Sequence, residues 1–121
     1  MAQIKFGTDG WRGIIADDYT FANVAKVALA TARYFKSHKK IKNGLVIGYD
    51  SRFMSKEFAH KAAQVIASAG VKVLLADKIS STPMTSLGIV KMNAAGGVVI
   101  TASHNPAKYN GFKIKGDFGG P

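Results

Sequence analysis

A hydroxyl and two candidate cations follow a short apolar stretch near the carboxyl end of the chain. Residues 95–100 are predicted to form a buried strand, and Ser103 comes almost directly after it, with His104 as its neighbour. Lys113 lies ten positions after Ser103. In an open α/β sheet, ligands bind beyond the carboxyl ends of the strands. A hydroxyl with a histidine and a lysine near it at such an edge suggests phosphate chemistry.

Two arginines follow other predicted strands. Arg12 belongs to a segment at 7–13 that holds three glycines, which give the backbone freedom to approach a ligand. Arg52 comes after the apolar run at 45–49, two residues beyond Asp50. A guanidinium is a planar fork that can donate two hydrogen bonds to phosphate oxygens. Each arginine is a candidate phosphate ligand. Arg12 is equally compatible with a surface arginine in an ordinary glycine-rich turn. Asp50 and Arg52 are also compatible with a structural role, in which they stabilise their own loop by hydrogen bonds.

Three segments between these loops have the patterns of helices. Apolar residues recur at intervals of three and four from Phe21 to Phe35, with Thr20 as the predicted N-cap. Ser55 is predicted to cap a second helix, which Gly70 ends as the glycine after the last turn. A Thr-Pro pair at 82–83 predicts the N-cap and first residue of a third helix.

Apolar runs between the helices predict the strands of one sheet. They lie at 45–49, 71–76 and 98–101, with shorter candidates at 4–6 and, at an edge of the sheet, 112–115. Strands that alternate with helices predict a three-layer α/β/α domain with a mixed, mainly parallel sheet of four to five strands and helices on both faces. Right-handed crossovers place the strand exits on one edge, so the loops around Arg12, Arg52 and Ser103 are expected to meet there.

The composition limits the class of protein. A chain of 121 residues with 47% hydrophobic residues is long enough for one domain with a real core. The absence of cysteine excludes disulfides and thiolate metal sites. No apolar run approaches membrane-spanning length, and the first residues lack the apolar core of a signal peptide. We therefore expect a cytoplasmic protein with no membrane partner.

The charge favours an anionic partner. Seventeen Lys and Arg against seven Asp and Glu give a net charge of +10, which suits sugar phosphates, nucleic acid or an acidic surface of another domain. The only basic cluster lies at 36–42, after the first predicted helix, and is more typical of a solvated helix end. Because no RNA-binding aromatic signature is present, a nucleic-acid partner is not expected.

Three motifs in the same order resemble the α-D-phosphohexomutases, the phosphoglucomutase and phosphomannomutase family. TASHNP at 101–106, followed by YNGFKIK at 109–115, resembles the family's phosphoserine loop and is the most specific of the three. GTDGWRG at 7–13 resembles its opening motif, and VIGYDSRFMSKEF at 46–58 its second conserved loop. The likeness runs from Phe6 to Lys115, and YNGFKIK is closer to this branch than to the phosphoglucosamine branch.

The resemblance implies that Ser103 is the phosphoserine of an enzyme that interconverts hexose 1-phosphate and hexose 6-phosphate. The serine would donate its phosphoryl group to the sugar, and would recover the other phosphate from the resulting bisphosphate. Arg12 and Lys113 would stabilise charge on the phosphoryl group in transfer, and Lys113 would also assist proton transfer. His104 would border the same phosphate, and Arg52 is a further candidate to contact it.

The same resemblance implies partners that this sequence does not supply. Mg²⁺ would bind a phosphate oxygen on Ser103, but the family's aspartate-rich metal motif is absent from the sequence, and a hexose 1,6-bisphosphate would act as activator. The sugar-specificity loop and the carboxyl-terminal phosphate loop are also absent. Residues 1–121 are therefore interpreted as domain I, ending in a linker at about 116–121, without domains II–IV and inactive alone.

Two other functions are compatible with parts of the sequence. The charge and the converging arginines would also suit a non-catalytic phosphate- or polyanion-binding module. A serine hydrolase using Ser103 is disfavoured, because no G-x-S-x-G turn is present and His104 is poorly placed as its base. Ser103 and Lys113 are also compatible with an ordinary loop and a solvated lysine. The motifs favour the mutase, without distinguishing glucose from mannose.

Overall fold

The computed structural model describes Ile4, residues 10–103 and residues 105–120. The elements in chain order are β1 (Gly10–Ile14), α1 (Phe21–Phe35), a 3₁₀ turn (Ile41–Asn43), β2 (Leu45–Tyr49), α2 (Ser55–Ser68), β3 (Val73–Leu75), α3 (Thr82–Lys91), β4 (Gly96–Ile100) and β5 (Tyr109–Lys115). Of the strand predicted at 4–6, only Ile4 is described, and it is not part of a strand. No helix within the described ranges is long and apolar enough to cross a membrane.

The five strands form one mixed sheet in the order β1-β5-β4-β2-β3. β2 pairs in parallel with β3 and β4, whereas β5 pairs antiparallel with β4 and β1. Four strands therefore run in one direction and β5 in the other, which confirms the predicted mixed, mainly parallel sheet.

The position of β5 differs from the prediction. It was expected at an edge, but β1 covers its outer side, with Gly10 opposite Lys113 and Ile14 opposite Tyr109. The segment at 7–13 was predicted to be a loop because of its three glycines, but residues 10–13 belong to β1. In the sheet, a side chain at Gly10 would collide with the backbone of β5, so glycine at this position serves close strand pairing.

The helices cover the sheet from both sides, as predicted. Two neighbouring residues of β4 show this, because successive side chains in a strand point to opposite faces. A Cβ on Gly96 would meet Phe35 of α1, whereas a Cβ on Gly97 would meet Ile89 of α3. α2 packs beside α1, so two helices share one face and α3 covers β2 and β4 on the other.

The core between the sheet and the α1/α2 layer is rich in aromatic rings. Trp11 stacks on Tyr19 with ring centroids 4.6 Å apart, and Tyr19 meets the edge of Phe58 at 4.7 Å. All three side chains are buried, together with Phe112 of β5. Aromatic pairs of this kind contribute beyond their buried area, so this cluster fixes β1 and β5 against α2.

Two helix starts differ from the predictions. Thr20 caps α1 as predicted, by accepting a hydrogen bond from the Asn23 backbone. Ser55 was predicted to be the N-cap of α2, but it is the first helical residue, and Met54 precedes it in a left-handed conformation. In α3 the cap is Ser81 instead of Thr82, so the proline that follows occupies the second helical position.

Candidate functional site

Ser103 leaves β4 in a backbone conformation that serine seldom adopts. Its φ is 54°, in the left-handed region, which costs a non-glycine residue about 1 kcal/mol or more. The Ser103 backbone N–H donates to Thr101 Oγ1 at 3.0 Å, and its carbonyl accepts from Arg52 Nη2 at 2.6 Å. The preceding residues are buried while Ser103 itself is exposed. The chain thus presents this hydroxyl at the edge of the sheet.

Lys113 contacts that hydroxyl directly. Its Nζ donates a hydrogen bond of 2.7 Å to Ser103 Oγ. Lys113 is on β5, next to Phe112, whose ring is buried in the α1/α2 layer. Because side chains alternate along a strand, Lys113 projects from the opposite face of the sheet. The structure therefore brings Ser103 and Lys113 into direct contact, as the motif indicated.

Arg12 lies on the same face as Lys113 for reasons of strand register. Gly10 is opposite Lys113, and Arg12 is opposite Gly111, so the two cations occupy diagonal positions with glycines at the other two. A Cβ on Gly111 would lie 3.1 Å from Arg12 Cγ, so this glycine leaves the space that the arginine stem uses. The prediction that Arg12 lies in a loop is wrong, but its proximity to the serine loop is confirmed.

Asn105 connects Arg12 to the serine loop. Arg12 Nη1 donates to Asn105 Oδ1 at 2.7 Å, and the arginine is exposed. Two cationic side chains thus reach the loop from one sheet face, one to Ser103 itself and one to a residue two positions later. Such an arrangement can bind an oxyanion and stabilise charge that develops on a phosphoryl group.

Arg52 directs its donors inward. The four N–H groups of its two terminal nitrogens donate to the backbone carbonyls of Ser103, Asn105, Pro106 and Tyr109, at 2.6, 2.7, 3.0 and 3.2 Å. Its Nε lies 3.5 Å from Asp50 Oδ2, and the side chain is only 14% exposed. Of the two interpretations of Arg52, these contacts favour loop support over direct contact with phosphate.

Asp50 accepts hydrogen bonds from two residues that follow it in the chain. Its Oδ1 accepts from the Arg52 backbone N–H at 3.0 Å and from Ser55 Oγ at 2.7 Å. Asn110 Nδ2 in turn donates to Ser55 Oγ at 2.9 Å. The loop-support interpretation of Asp50 therefore agrees with the structure. Sequence reasoning missed Ser55 in this role because it was interpreted as a helix cap, and it missed Asn110 because a hydrogen bond across 55 residues leaves no local pattern.

Two parts of the predicted site are not seen in the described residues. One is His104, which lies outside the described ranges, and the other is the set of protein ligands for Mg²⁺, which were expected from outside this sequence. In the described ranges, no group of three or more His, Cys, Asp and Glu side chains could hold a metal ion. The described residues therefore do not form a complete Mg²⁺ site.

Comparison with known proteins gives the family. Residues 3–121 match the family model for phosphoglucomutase/phosphomannomutase, alpha/beta/alpha domain I. Because that match spans nearly the whole chain, the protein belongs to the phosphoglucomutase/phosphomannomutase family and corresponds to its domain I. This confirms the family and the domain that the motifs indicated.

Named relatives and a solved structure agree with this assignment. The chain is 40% identical over 120 residues to a phosphoglucomutase of Staphylococcus haemolyticus, covering 94% of this chain and 21% of that protein. It is 43% identical over 122 residues to a phosphoglucomutase of Staphylococcus epidermidis, with 96% and 22% covered. A structure assigned as a phosphomannomutase from Thermus thermophilus superposes with a TM-score of 0.92 at 41% identity, covering 99% of this chain and 27% of that one. The chain thus spans about a quarter or less of the proteins it matches.

Proposed function

We propose that residues 1–121 are the phosphoserine domain of a phosphohexomutase, which interconverts hexose 1-phosphate and hexose 6-phosphate. One observation carries the proposal: an exposed serine hydroxyl, displayed at the edge of the sheet, accepts a 2.7 Å hydrogen bond from Lys113. Arg12 on the same sheet face and the names of the relatives support it.

The proposed role of Lys113 follows from its contact with Ser103. Transfer from phosphorylated Ser103 breaks the bond between phosphorus and Oγ and forms one from phosphorus to a sugar hydroxyl oxygen. The sugar hydroxyl releases its proton to solvent, and Oγ gains one. Lys113 Nζ already donates to Oγ, so it is placed to supply that proton and to offset the negative charge on the leaving oxygen.

Arg12 is proposed to bind the phosphoryl oxygens. Its stem passes over Gly111, and one terminal nitrogen is held by Asn105, so the guanidinium is kept close to the serine loop. His104 is proposed to border the same phosphate. Mg²⁺, bound to a phosphate oxygen of phosphorylated Ser103, would neutralise negative charge there, with carboxylate ligands from outside the described residues.

The remaining requirements lie beyond these residues. A hexose 1,6-bisphosphate would phosphorylate Ser103 and so activate the enzyme in the cytoplasm. Sugar recognition and the metal ligands would come from the further domains that are expected to accompany domain I. The isolated chain is therefore expected to lack mutase turnover.

The test is a chimaera in which residues 1–121 replace the matching segment of the Staphylococcus epidermidis phosphoglucomutase. We expect mutase turnover in a coupled assay with Mg²⁺ and the bisphosphate, and its loss in Ser103→Ala. Phosphopeptide mapping after incubation with the bisphosphate is expected to locate the phosphoryl group on Ser103. Turnover that persists in Ser103→Ala would refute the proposal, as would a phosphoryl group on another residue.

A non-catalytic polyanion-binding module is the second candidate, and the net charge of +10 favours it. That function predicts affinity for generic DNA that falls steeply with salt and is the same in the wild type and Arg12→Ala. We expect instead that Arg12→Ala weakens the binding of inorganic phosphate, measured by nuclear magnetic resonance.

A further inference from the structure

We propose that Arg52 positions Ser103 through the backbone of its loop and does not bind the phosphate. The inference rests on the proposed function only in so far as Ser103 is the phosphoryl carrier. It concerns a residue whose sequence context was equally compatible with phosphate contact, and it assigns that contact to Arg12.

The first step is the use of the guanidinium donors. A guanidinium has five N–H groups and no acceptor. Four of them donate to loop carbonyls, and the fifth, on Nε, lies against Asp50. A phosphate could be bound by Arg52 only if loop carbonyls were released. Arg12 differs, because its one described hydrogen bond is made to a side chain and the residue is exposed.

The second step is the conformation of Ser103. A left-handed non-glycine residue persists only when its surroundings hold it there. Both backbone polar groups of Ser103 are held, the N–H by Thr101 Oγ1 and the carbonyl by Arg52 Nη2. Rotation to a negative φ would turn the Cα–Cβ bond and move Oγ from its position at Lys113 Nζ. Arg52 therefore acts on the hydroxyl without touching it.

The third step is the anchoring of Arg52 itself. Asp50 holds both the Nε and the backbone N–H of Arg52. Asp50 is fixed in turn by Ser55, which is fully buried at the start of α2 and also bonded to Asn110 of β5. Arg52 and Asp50 are thus connected to helix α2 on one side and, on the other, to the strand that carries Lys113.

The experiment uses the isotopically labelled 121-residue chain in solution. In Arg52→Gln, we expect Ser103 to lose its left-handed signature, as read from its carbon chemical shifts and its amide-to-α-proton coupling. Arg33→Gln is the matched control, since Arg33 is exposed on α1. Thr101→Val removes the other tether with little change of shape, and is expected to shift the same signals in part. It also serves if Arg52→Gln does not fold.

A titration with inorganic phosphate separates positioning from binding. We expect Arg52→Gln to change the phosphate affinity by less than about threefold, whereas Arg12→Gln lowers it by about tenfold or more. In the chimaera, Arg52→Gln is expected to lower kcat with little change in KM. If the Ser103 backbone signals are unchanged in Arg52→Gln, the inference is overturned. If the phosphate affinity of that variant also falls, Arg52 is a phosphate ligand.

These outcomes are independent of the proposed function. If Ser103 is not the phosphoryl carrier, Ser103→Ala leaves the chimaera active, while the effect of Arg52→Gln on the Ser103 backbone is still observed. If the inference fails, the backbone signature persists in Arg52→Gln although Ser103→Ala is inactive.

Discussion

The two faces of β5 have different tasks. On the α1/α2 side, Phe112 is fully buried and Asn110 is bonded to the start of α2. On the other side, Gly111 makes room for Arg12, and Lys113 reaches Ser103. α3 covers β2 and β4 on this second face, and it leaves Arg12 exposed and Lys113 partly exposed. A strand with a period of two can therefore serve the core with one set of residues and the candidate site with the other.

The largest effect is expected from a substitution in the core on the α1/α2 side of the sheet. Phe58→Ala removes a ring that is 2% exposed and packs against Tyr19 and Phe21, so we expect a loss of about 3–5 kcal/mol in the free energy of unfolding. Chemical denaturation measures this loss. Phe53→Ala, at a side chain that is 71% exposed, is the control and is expected to change stability by less than about 0.5 kcal/mol. Equal losses in the two variants would contradict the assignment of the core.

The second prediction concerns a substitution on the opposite face of β5, which carries the candidate site. Lys113→Met keeps an unbranched stem and removes the cation, so we expect the affinity for inorganic phosphate to fall by about tenfold. The free energy of unfolding is expected to change by less than about 1 kcal/mol, because the substitution creates no core cavity. Lys91→Met, on the exposed side of α3, should leave the affinity unchanged. The separation of the two faces would be refuted by unchanged phosphate binding in Lys113→Met.

The third prediction concerns a hydrogen bond that crosses from the core to the site strand. The buried Tyr19 hydroxyl donates to the Gly111 carbonyl at 2.8 Å, and that carbonyl also accepts from the Thr101 backbone. Because one partner remains, Tyr19→Phe is expected to cost about 0.5–1.5 kcal/mol at neutral pH. Tyr34→Phe, at an exposed ring, is the control for denaturation. If Tyr19→Phe loses no more stability than Tyr34→Phe, the hydrogen bond from Tyr19 to the Gly111 carbonyl contributes nothing to stability.

The same tyrosine gives a pH dependence. Burial, and secondarily the charge of Asp50, raise the pKa of Tyr19 well above its ordinary value of 10.0. A raised pKa means that the folded state keeps the neutral phenol, so its contribution to stability is complete below about pH 10 and is lost as the pH rises further. Tyr19→Phe should therefore lose less stability than the wild type between about pH 10 and 11. A difference of the same size in Tyr34→Phe would assign the effect to general alkaline unfolding.

The smallest effect is expected at an exposed residue of α3, which we compare with a buried residue of the same helix. Leu87 is 53% exposed, whereas Ile89, two residues away, is fully buried against Gly97. Leu87→Gln is expected to change the free energy of unfolding by less than about 0.5 kcal/mol. Ile89→Gln should cost several times more, because it buries an amide against the sheet. Similar values for the two would contradict the orientation of α3.

The sequence allowed the periodic parts of this molecule to be predicted. β2 was placed at its observed bounds, because a continuous apolar run between a turn and a polar loop has few other interpretations. β1 was missed, since strand propensity at Gly10 and Gly13 is low and only the partner strand stabilises it. β5 was consequently placed at an edge, although its outer side is paired.

Within the site, single residues were easier to predict than their connections. Ser103 and Lys113 were paired through a motif, and the structure brings them into contact. The four carbonyls that Arg52 binds could not be predicted, because backbone acceptors carry no sequence signal and the loop lies 51–57 residues away. The cap role predicted for Ser55 was wrong for another reason: its hydroxyl bonds to the Asp50 side chain, five residues earlier, instead of the helix backbone.

The hydrogen bonds from Arg52 to the carbonyls of the serine loop have a thermodynamic consequence for a ligand. Fixing the backbone of one residue costs about 1–2 kcal/mol of conformational entropy, so ordering a loop of several residues at the moment of binding would consume much of a ligand's affinity. Here the backbone carbonyls of Ser103, Asn105, Pro106 and Tyr109 are already held by Arg52 within the folded chain. Under the proposed function, an incoming phosphate would therefore meet a preorganised site, and its binding free energy would remain available for the reacting geometry.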